Sequence, residues 1–500
     1  MTENVSFLTK VRQFLWPIQG AEHKKFMPMM FMIALIIFNY TVVRNIKDAL
    51  VVTDAGPETI TFLKFWLVVP CAFIFFFIYA KLSTFLSKQT IFYGVISFFL
   101  IFFALFALVL YPNRAALHPH ESADWLQSML PAGLKGVVAI YRFWTYSLFY
   151  CFAELWGSTV LTLLFWQFAN DVTRISEAKR FYSHFYLLGN FGCSFAGYLT
   201  QYFSKLGKTL AAAGQDPWGT SLNYLLTTFV VAGAVVMALY FYLNRFVLVN
   251  PAFAKTEADL AQAKKKKSKP KMSMGESFKF LLQSKYLGFL AILVIAYGIS
   301  INLVEVAWKS QLSLQFPMKN DYNAFMGMVS MTTGIATVIV ILFGSSIIRV
   351  FGWKRGALAT PIILGLTGLA FFACAIFPNM FTAVAMLFDA TPLLLAVYFG
   401  FAQNVLSKST KYALFDPTKE MAYIPLDDES KSKGKAAVDV VGARLGKSGG
   451  SLLQQIMFAF IGPIAVIMPY SAAIMCGIIV IWIMAVYGLN KRFVALTGEK

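Results

Sequence analysis

The sequence predicts an all-α polytopic membrane protein with twelve transmembrane helices in two sets of six. Three observations carry this. The 500 residues are 58% hydrophobic and only 13% charged, with 50 Phe, whereas a soluble domain is roughly half apolar and a quarter charged. Apolar runs of bilayer-spanning length recur from end to end. One long basic segment, residues 250–284, divides those runs into equal sets.

In chain order the expected spans are about 26–51, 60–82, 90–112, 139–168, 178–203 and 222–248, then 285–310, 323–351, 355–377, 391–416, 436–465 and 470–490. Residues 380–390, MFTAVAMLFDA, read either as an interfacial turn or as the start of the tenth span. The polar residues 1–25 lead straight into a full-length span with no small-residue cleavage site, so direct insertion is expected. An even number of spans puts both termini on one side. Lys10, Arg12, Lys24, Lys25, Arg174, Lys179, Arg180, Arg349, Lys354, Arg355, Lys491 and Arg492 all fall in one set of loops. Positive residues mark the cytoplasmic side, so both termini are expected there.

The domain organisation follows: an N-terminal six-helix half over 1–249, a cytoplasmic Lys-rich linker over 250–284, and a C-terminal six-helix half over 285–500. The linker run AKKKKSKPK (263–271) reads as a solvated tether near anionic lipid headgroups. Nothing aromatic or folded surrounds it, so no nucleic-acid role is expected. The halves echo one another. NYTVVRNIKDAL in the first span resembles NLVEVAWKSQL in the seventh, which sets Lys47 near Lys309. Six plus six with a basic central loop is a major-facilitator-like layout, in which two repeats rock about a midplane site. Cys71, Cys151, Cys193, Cys374 and Cys476 all lie in apolar segments and read as small buried hydrophobes. The four histidines show no metal-ligand spacing, and no cofactor is expected.

The informative residues are charges placed where lipid should be, since each costs about 2.5–3.5 kcal/mol unless it meets a partner or water. The first span carries Arg44, Lys47 and Asp48; Arg44 and Lys47 share a helix face, with snorkelling to the interface as the competing reading. The fourth span carries Glu154 near its centre, beyond snorkelling reach. The seventh carries Glu305 and Lys309, spaced to pair along one helix. The tenth and its exit carry Lys408, Lys411 and Lys419, the last also readable as an ordinary loop lysine. The eleventh carries Asp439, Arg444 and Lys447.

That eleventh segment, GARLGKSGGS (442–451), ends like a phosphate-binding loop. Such a loop needs four residues between its glycines, and a strand before it. Only three separate Gly442 from Gly446, and a membrane helix follows. The glycines instead suit close helix contact, with Arg444 and Lys447 projecting from one side. A cavity lined mostly by cations suits a polyanion. Arg binds phosphate as a fork and Lys as a point charge, and a base can stack on an aromatic ring.

Four stretches carry a family likeness: RNIKDALVVTDAG (44–56), AELWGSTVLTLLFWQFAN (153–170), INLVEVAWKSQLS (301–313) and KYALFDPTKEMAYIPLD (411–427). They resemble the ATP/ADP translocases of obligate intracellular bacteria and plastids, over nearly the whole chain. The resemblance implies that four charged positions serve nucleotide transport, here Lys47, Glu154, Glu305 and Lys419. It implies exchange of external ATP for internal ADP, with phosphate possible as a co-substrate. It also implies a carrier rather than an enzyme, in the inner membrane of such a bacterium. A monomer in contact with lipid is expected.

Substrate contacts are therefore expected from Lys47, Glu154, Glu305, Lys419, Arg44, Arg444, Lys447, Lys411, Lys408 and Lys309. Within that set Arg44, Lys47, Lys411, Arg444 and Lys447 are the candidates for phosphate, and Glu154 and Glu305 hold basic partners when the cavity is empty. The alternative keeps the fold but couples nucleotide uptake, of broader base specificity, to a proton carried on Glu154 or Glu305.

Overall fold

The computed structural model describes residues 18, 20–211, 214–253, 284–427, 431, 434–435, 437–438 and 442–497, without the side chains of 21, 175, 176, 179, 183, 252, 345–347, 443 and 444. Among these residues the regular structure is helical throughout. The long helices are α1 (His23–Asp54), α2 (Thr59–Phe85), α3 (Lys88–Leu110), α4 (Trp144–Val172), α5 (Ile175–Leu210), α6 (Pro217–Val247) and α7 (Lys285–Gln315). Then come α8 (319–351), α9 (353–376), α10 (Pro392–Ala422), α11 (Ala443–Phe460) and α12 (Ile464–Thr497). Several begin at side chains suited to capping. Ser87, Asp216 and Thr391 each accept a backbone N–H from the first helical turn.

Nine helices among the described residues are long and apolar enough to cross a membrane, or ten with the bent pair Pro378–Leu387 and Pro392–Ala422. α5 and α11 occupy the fifth and eleventh expected spans but lie outside that set. Their composition has a packing cause. α5 meets α8 through Ser194, Gly197 and Ser204, and a Cβ on Gly197 would stand 2.3 Å from the Met331 nitrogen. α11 meets α7 through Gly446 and Gly450, with Gly298 of α7 closing the seam: a Cβ there would sit 2.7 Å from Gly446 Cα. Small residues let the backbones touch and lower the apolarity at once.

The segment 380–390 holds a short helical piece and a sharp bend ahead of α10. Pro378–Phe381 and Thr382–Leu387 form a short helical piece, Asp389 takes φ 49°, and the piece is bent 84° from α10. α8 and α9 run on as one helix broken at Gly352, whose φ of 79° no other residue type adopts cheaply. The run 263–271 and Asp439 lie outside the described residues, and so does the side chain of Arg444.

Contacts between α1–α6 and α7–α12 cluster towards one end of the bundle, that of the 54–58 turn (the Asp54 end). Lys319 pairs with Asp54 at 2.6 Å and Lys208 with Asp321 at 2.6 Å. Asn320 donates to the Ser204 carbonyl and to Ser221 Oγ, and Asn323 donates to Ser204 Oγ. Gln455 of α11 donates to the Thr61 carbonyl of α2 and accepts from Trp66 Nε1. Deeper in, Ser330 donates to Asn45 and Ser194 to the Met331 carbonyl. Towards the opposite end, marked by His23, residues 69–85 of α2 have no buried side chain.

Candidate functional site

The expected intramembrane charges form two layers. The first is a chain of alternating signs. Glu154 Oε1 lies 3.0 Å from Lys47 Nζ, which lies 2.9 Å from Asp48 Oδ1. Asp48 Oδ2 lies 2.9 Å from Lys309 Nζ, which lies 2.7 Å from Glu305 Oε1. Glu305 Oε2 lies 2.9 Å from Lys64 Nζ. Three carboxylates and three ammoniums cancel, and the chain runs from α4 through α1 and α7 to α2. Its centre is dry: Lys47, Asp48 and Lys309 are at most 3% exposed, while Glu154, Lys64 and Glu305 are about a quarter exposed. Burying that many charges is tolerable only with full pairing.

Local sequence aims these groups. Trp156 donates its indole N–H to the Ile36 carbonyl, fixing α4 on α1. Gly157 leaves room for the Tyr40 ring, and a Cβ there would come within 2.7 Å of it. The Lys47 ammonium rests 3.8 Å from the centre of the Tyr150 ring. In the other half of the chain, Trp308 donates to the Val397 carbonyl and fixes α7 on α10. Asn302 accepts from Lys64 Nζ and donates to the Gly298 carbonyl, so it holds Lys64 beside Glu305.

The second layer lies next to the first, towards the His23 end. Arg44 sits one turn before Asp48, within electrostatic range of Asp48 and Glu305. Lys408 of α10 faces Arg44, Glu305 and Lys309. Lys447 of α11 faces Glu154, Lys64, Lys411 and Glu305. Arg44 and Lys408 are half-buried and Lys447 is exposed, although all three lie within long helices. Among the described residues none of the three forms an ion pair. Lys411 differs: it pairs with Asp416 at 2.7 Å and lies 4.5 Å from the Tyr412 ring centre. The structure thus brings together cations of α1, α10 and α11.

The backbone is irregular at these same places. π-helical turns occupy Leu63–Val68 around Lys64, Gly157–Phe165 after Glu154, and Lys411–Phe415 after Lys408. Such turns inside α-helices are frequent at functional sites. The Gly446–Ser448 stretch is inside α11, with its amides committed to a helix.

Snorkelling, the competing reading for Arg44 and Lys47, is not what the geometry shows. Lys47, expected to contact phosphate, is sealed between Asp48 and Glu154 in this conformation. Lys419 stands apart from the cluster, two helical turns beyond Lys411, with its ammonium 3.8 Å from Glu420. One residue, Lys64, escaped the sequence reading, because it lies so near the start of its span that it resembles an interfacial lysine. Asp48 was visible as an intramembrane acid, but its central place depends on Lys309, which only the fold brings near.

Comparisons with known proteins identify the family and the fold. Residues 1–493 match the TLC ATP/ADP transporter family. The chain is 54% identical to "ADP,ATP carrier protein 1" of Chlamydia pneumoniae over 98% of its length and 95% of the relative's. It is 42% identical to "ADP,ATP carrier protein 1" of Rickettsia bellii over 100% of its length and 99% of that protein's. In fold it resembles a bacterial homologue of the iron transporter ferroportin in an inward-facing state, with a TM-score of 0.56 at 11% identity, covering 94% of this chain and 99% of that one. The major-facilitator-like, all-helical membrane fold expected from the sequence is thus met. From fold, site and likeness together, the chain belongs to the TLC ATP/ADP transporter family.

Proposed function

We propose that the protein is an antiporter that exchanges external ATP for internal ADP by alternating access. One observation carries the reading: among the described residues Arg44, Lys408 and Lys447 form no ion pair and are in part wetted, beside a charge-balanced chain that spans the two groups of helices. The phosphate tail of a nucleotide supplies the missing negative charge. Arg44 offers it a fork, and Lys408 and Lys447 offer point charges. The name shared by the relatives, ADP,ATP carrier, supplies the choice of nucleotide.

The coupling follows from electrostatics. Swinging the halves together around an empty cavity would bring three unpaired cations into a drier space, where their repulsion grows. A bound nucleotide removes that cost, so either ATP or ADP permits the swing and an empty carrier stays put. In the conformation described the contacts between the two sets of helices gather at the Asp54 end, which fits a carrier shut there and open towards the His23 end. With the His23 end on the cytoplasmic side, as the Lys/Arg bias directs, this is the inward-facing state. Glu154 and Glu305 each already hold a lysine, which leaves the proton-coupled alternative without separate support.

The remaining parts of the reading are these: twelve spans with α5 and α11 included, halves at 1–249 and 285–500 joined by the linker 250–284, and a monomer in a bacterial inner membrane. Phosphate travelling with ADP also fits the cationic layer. Vesicles containing the purified protein test the exchange. Uptake of labelled ATP is expected with internal ADP and only marginally without it. Equal uptake with and without internal ADP would overturn strict exchange.

A further inference from the structure

A second cationic feature lies away from the transport cavity. Between the α8–α9 break and the end of α12 is a cavity of about 520 Å³ lined by Trp353, Lys354, Arg355, Tyr487, Asn490 and Phe493, among others. Its floor is aromatic: Trp353 and Phe493 stack at 5.1 Å, and Trp353 donates its indole N–H to the Thr418 carbonyl. Its rim is cationic. Lys354 lies 4.2 Å from the centre of the Tyr487 ring, Arg355 is exposed, and Arg349, Lys491 and Arg492 lie on the same two segments. Neither 345–360 nor 480–497 contains an acidic residue.

That imbalance is unlike much of the boundary. Lys88, Arg114, Arg142, Arg180 and Lys208 each hold a carboxylate. Here, among the described residues, none of the five cations forms an ion pair. The surroundings specify the missing partner further. Val350, Phe351, Met484 and Leu496 flank the cavity with 50–70% of their surface exposed, as helix faces in contact with lipid chains are. A ligand that satisfies both the rim and the flanks is anionic at one end and apolar at the other.

We propose that this cavity binds the phosphate headgroup of an anionic phospholipid, with Lys354 and Arg355 as its contacts and Lys491 and Arg492 as the outer rim. Basic pockets between helices at the cytoplasmic boundary take such headgroups. A bound headgroup ties the α8–α9 break at Gly352 to the end of α12.

Thermal unfolding of the purified protein in neutral detergent tests this, with phosphatidylglycerol, phosphatidylcholine, inorganic phosphate or ATP added separately. Phosphatidylglycerol is expected to raise Tm by several degrees and phosphatidylcholine not to. The increment should vanish in the double variant Lys354→Ala/Arg355→Ala and survive in Lys354→Arg/Arg355→Lys. The double variant should keep the wild-type increment from ATP, which shows that it folds and that the transport cavity is intact. A phosphatidylglycerol increment undiminished in the double variant overturns the proposal, as does equal stabilisation by phosphatidylcholine. Equal stabilisation by inorganic phosphate assigns the cavity to free anions and also overturns it. An ATP increment that the double variant loses makes the cavity a nucleotide subsite, with the same consequence.

Discussion

Two sets of cations lie side by side in this protein and differ in one respect. Lys47, Lys64 and Lys309 each touch a carboxylate at 3.0 Å or less, and they join helices from both parts of the chain. Among the described residues Arg44, Lys408 and Lys447 touch none and remain wetted. In the exchange proposed above, the paired set would hold one end of the bundle shut and the unpaired set would receive the anion. Residue type alone does not separate the two sets, because both are mostly lysine on helices α1, α7, α10, α11 and α2. The position of three carboxylates does. On that proposal the carrier has a charge-neutral seal and a charged vestibule made from the same kind of side chain, and the phosphates of the substrate would act on the vestibule first.

The largest effect should come from the centre of the seal. Asp48→Asn leaves two ammoniums facing a neutral amide where each had a carboxylate oxygen at 2.9 Å. Removing one member of a buried ion network costs about 3–5 kcal/mol. Unfolding measurements should register that loss, and nucleotide exchange should fall to background. Closure gives a second readout. Thr61 is fully buried at the closed end, so a Thr61→Cys thiol should resist an impermeant maleimide from outside in the parent and react in the Asp48→Asn background. A stability change below about 1 kcal/mol with the thiol still protected would break the distinction between seal and vestibule, since a net buried charge of that kind is expected to be costly.

The vestibule should answer in the opposite manner. Arg44→Ala or Lys408→Ala removes a cation that has no partner among the described residues, so stability should hold or rise slightly. Each lost charge-assisted hydrogen bond to phosphate is worth about 1.5–3 kcal/mol, roughly ten- to a hundredfold in affinity. The apparent KM for ATP should rise by that factor in uptake assays. Wild-type KM in both variants would remove these residues from the phosphate site.

A smaller effect grades the seal itself. Lys64 and Glu305 are each about a quarter exposed, and Glu305 also holds Lys309. Glu305→Gln should therefore cost more than Lys64→Met. A double-mutant cycle on the two should give a coupling of about 1 kcal/mol, less than the cost of Asp48→Asn. Coupling near zero would take Lys64 out of the seal, and Asp48–Lys309 would then be the seal's one ion pair between the two sets of helices among the described residues.

Much of this was legible in the sequence. Charge inside apolar runs marked Arg44, Lys47, Glu154, Glu305, Lys309, Lys408 and Lys447, because bilayer-depth charge is costly whatever the fold. The i,i+4 spacing of Glu305 and Lys309 foretold their 2.7 Å contact. The glycines of α11 were legible as a packing seam. What the sequence did not carry was pairing across the chain. Lys64 lies 241 positions from Glu305, and no local period links them. Asp48 bonds Lys47 beside it, a neighbour that helical spacing puts on a different face, so the contact needs Lys309 to bring the carboxylate round. Lys419 was marked at the exit of the tenth span, where it also read as a loop lysine, and by likeness; its place two turns beyond Lys411 follows from the helix continuing through Ala422.

The smallest expected effect isolates the role of burial. Lys88 and Asp171 pair at 2.5 Å, a separation as short as any in the seal, yet Lys88 is 66% exposed and Asp171 43%. Water already solvates both partners, so breaking the pair leaves no stranded charge. Exposed pairs are worth about 0–1 kcal/mol. Lys88→Ala should therefore unfold and exchange nucleotide like the parent, and raising the salt concentration should erase what difference exists. The seal, being dry at its centre, should be far less sensitive to salt. If Lys88→Ala proved as damaging as Asp48→Asn, ion pairing alone would set stability in this protein, and the contrast between a dry seal and a wet vestibule would lose its physical basis.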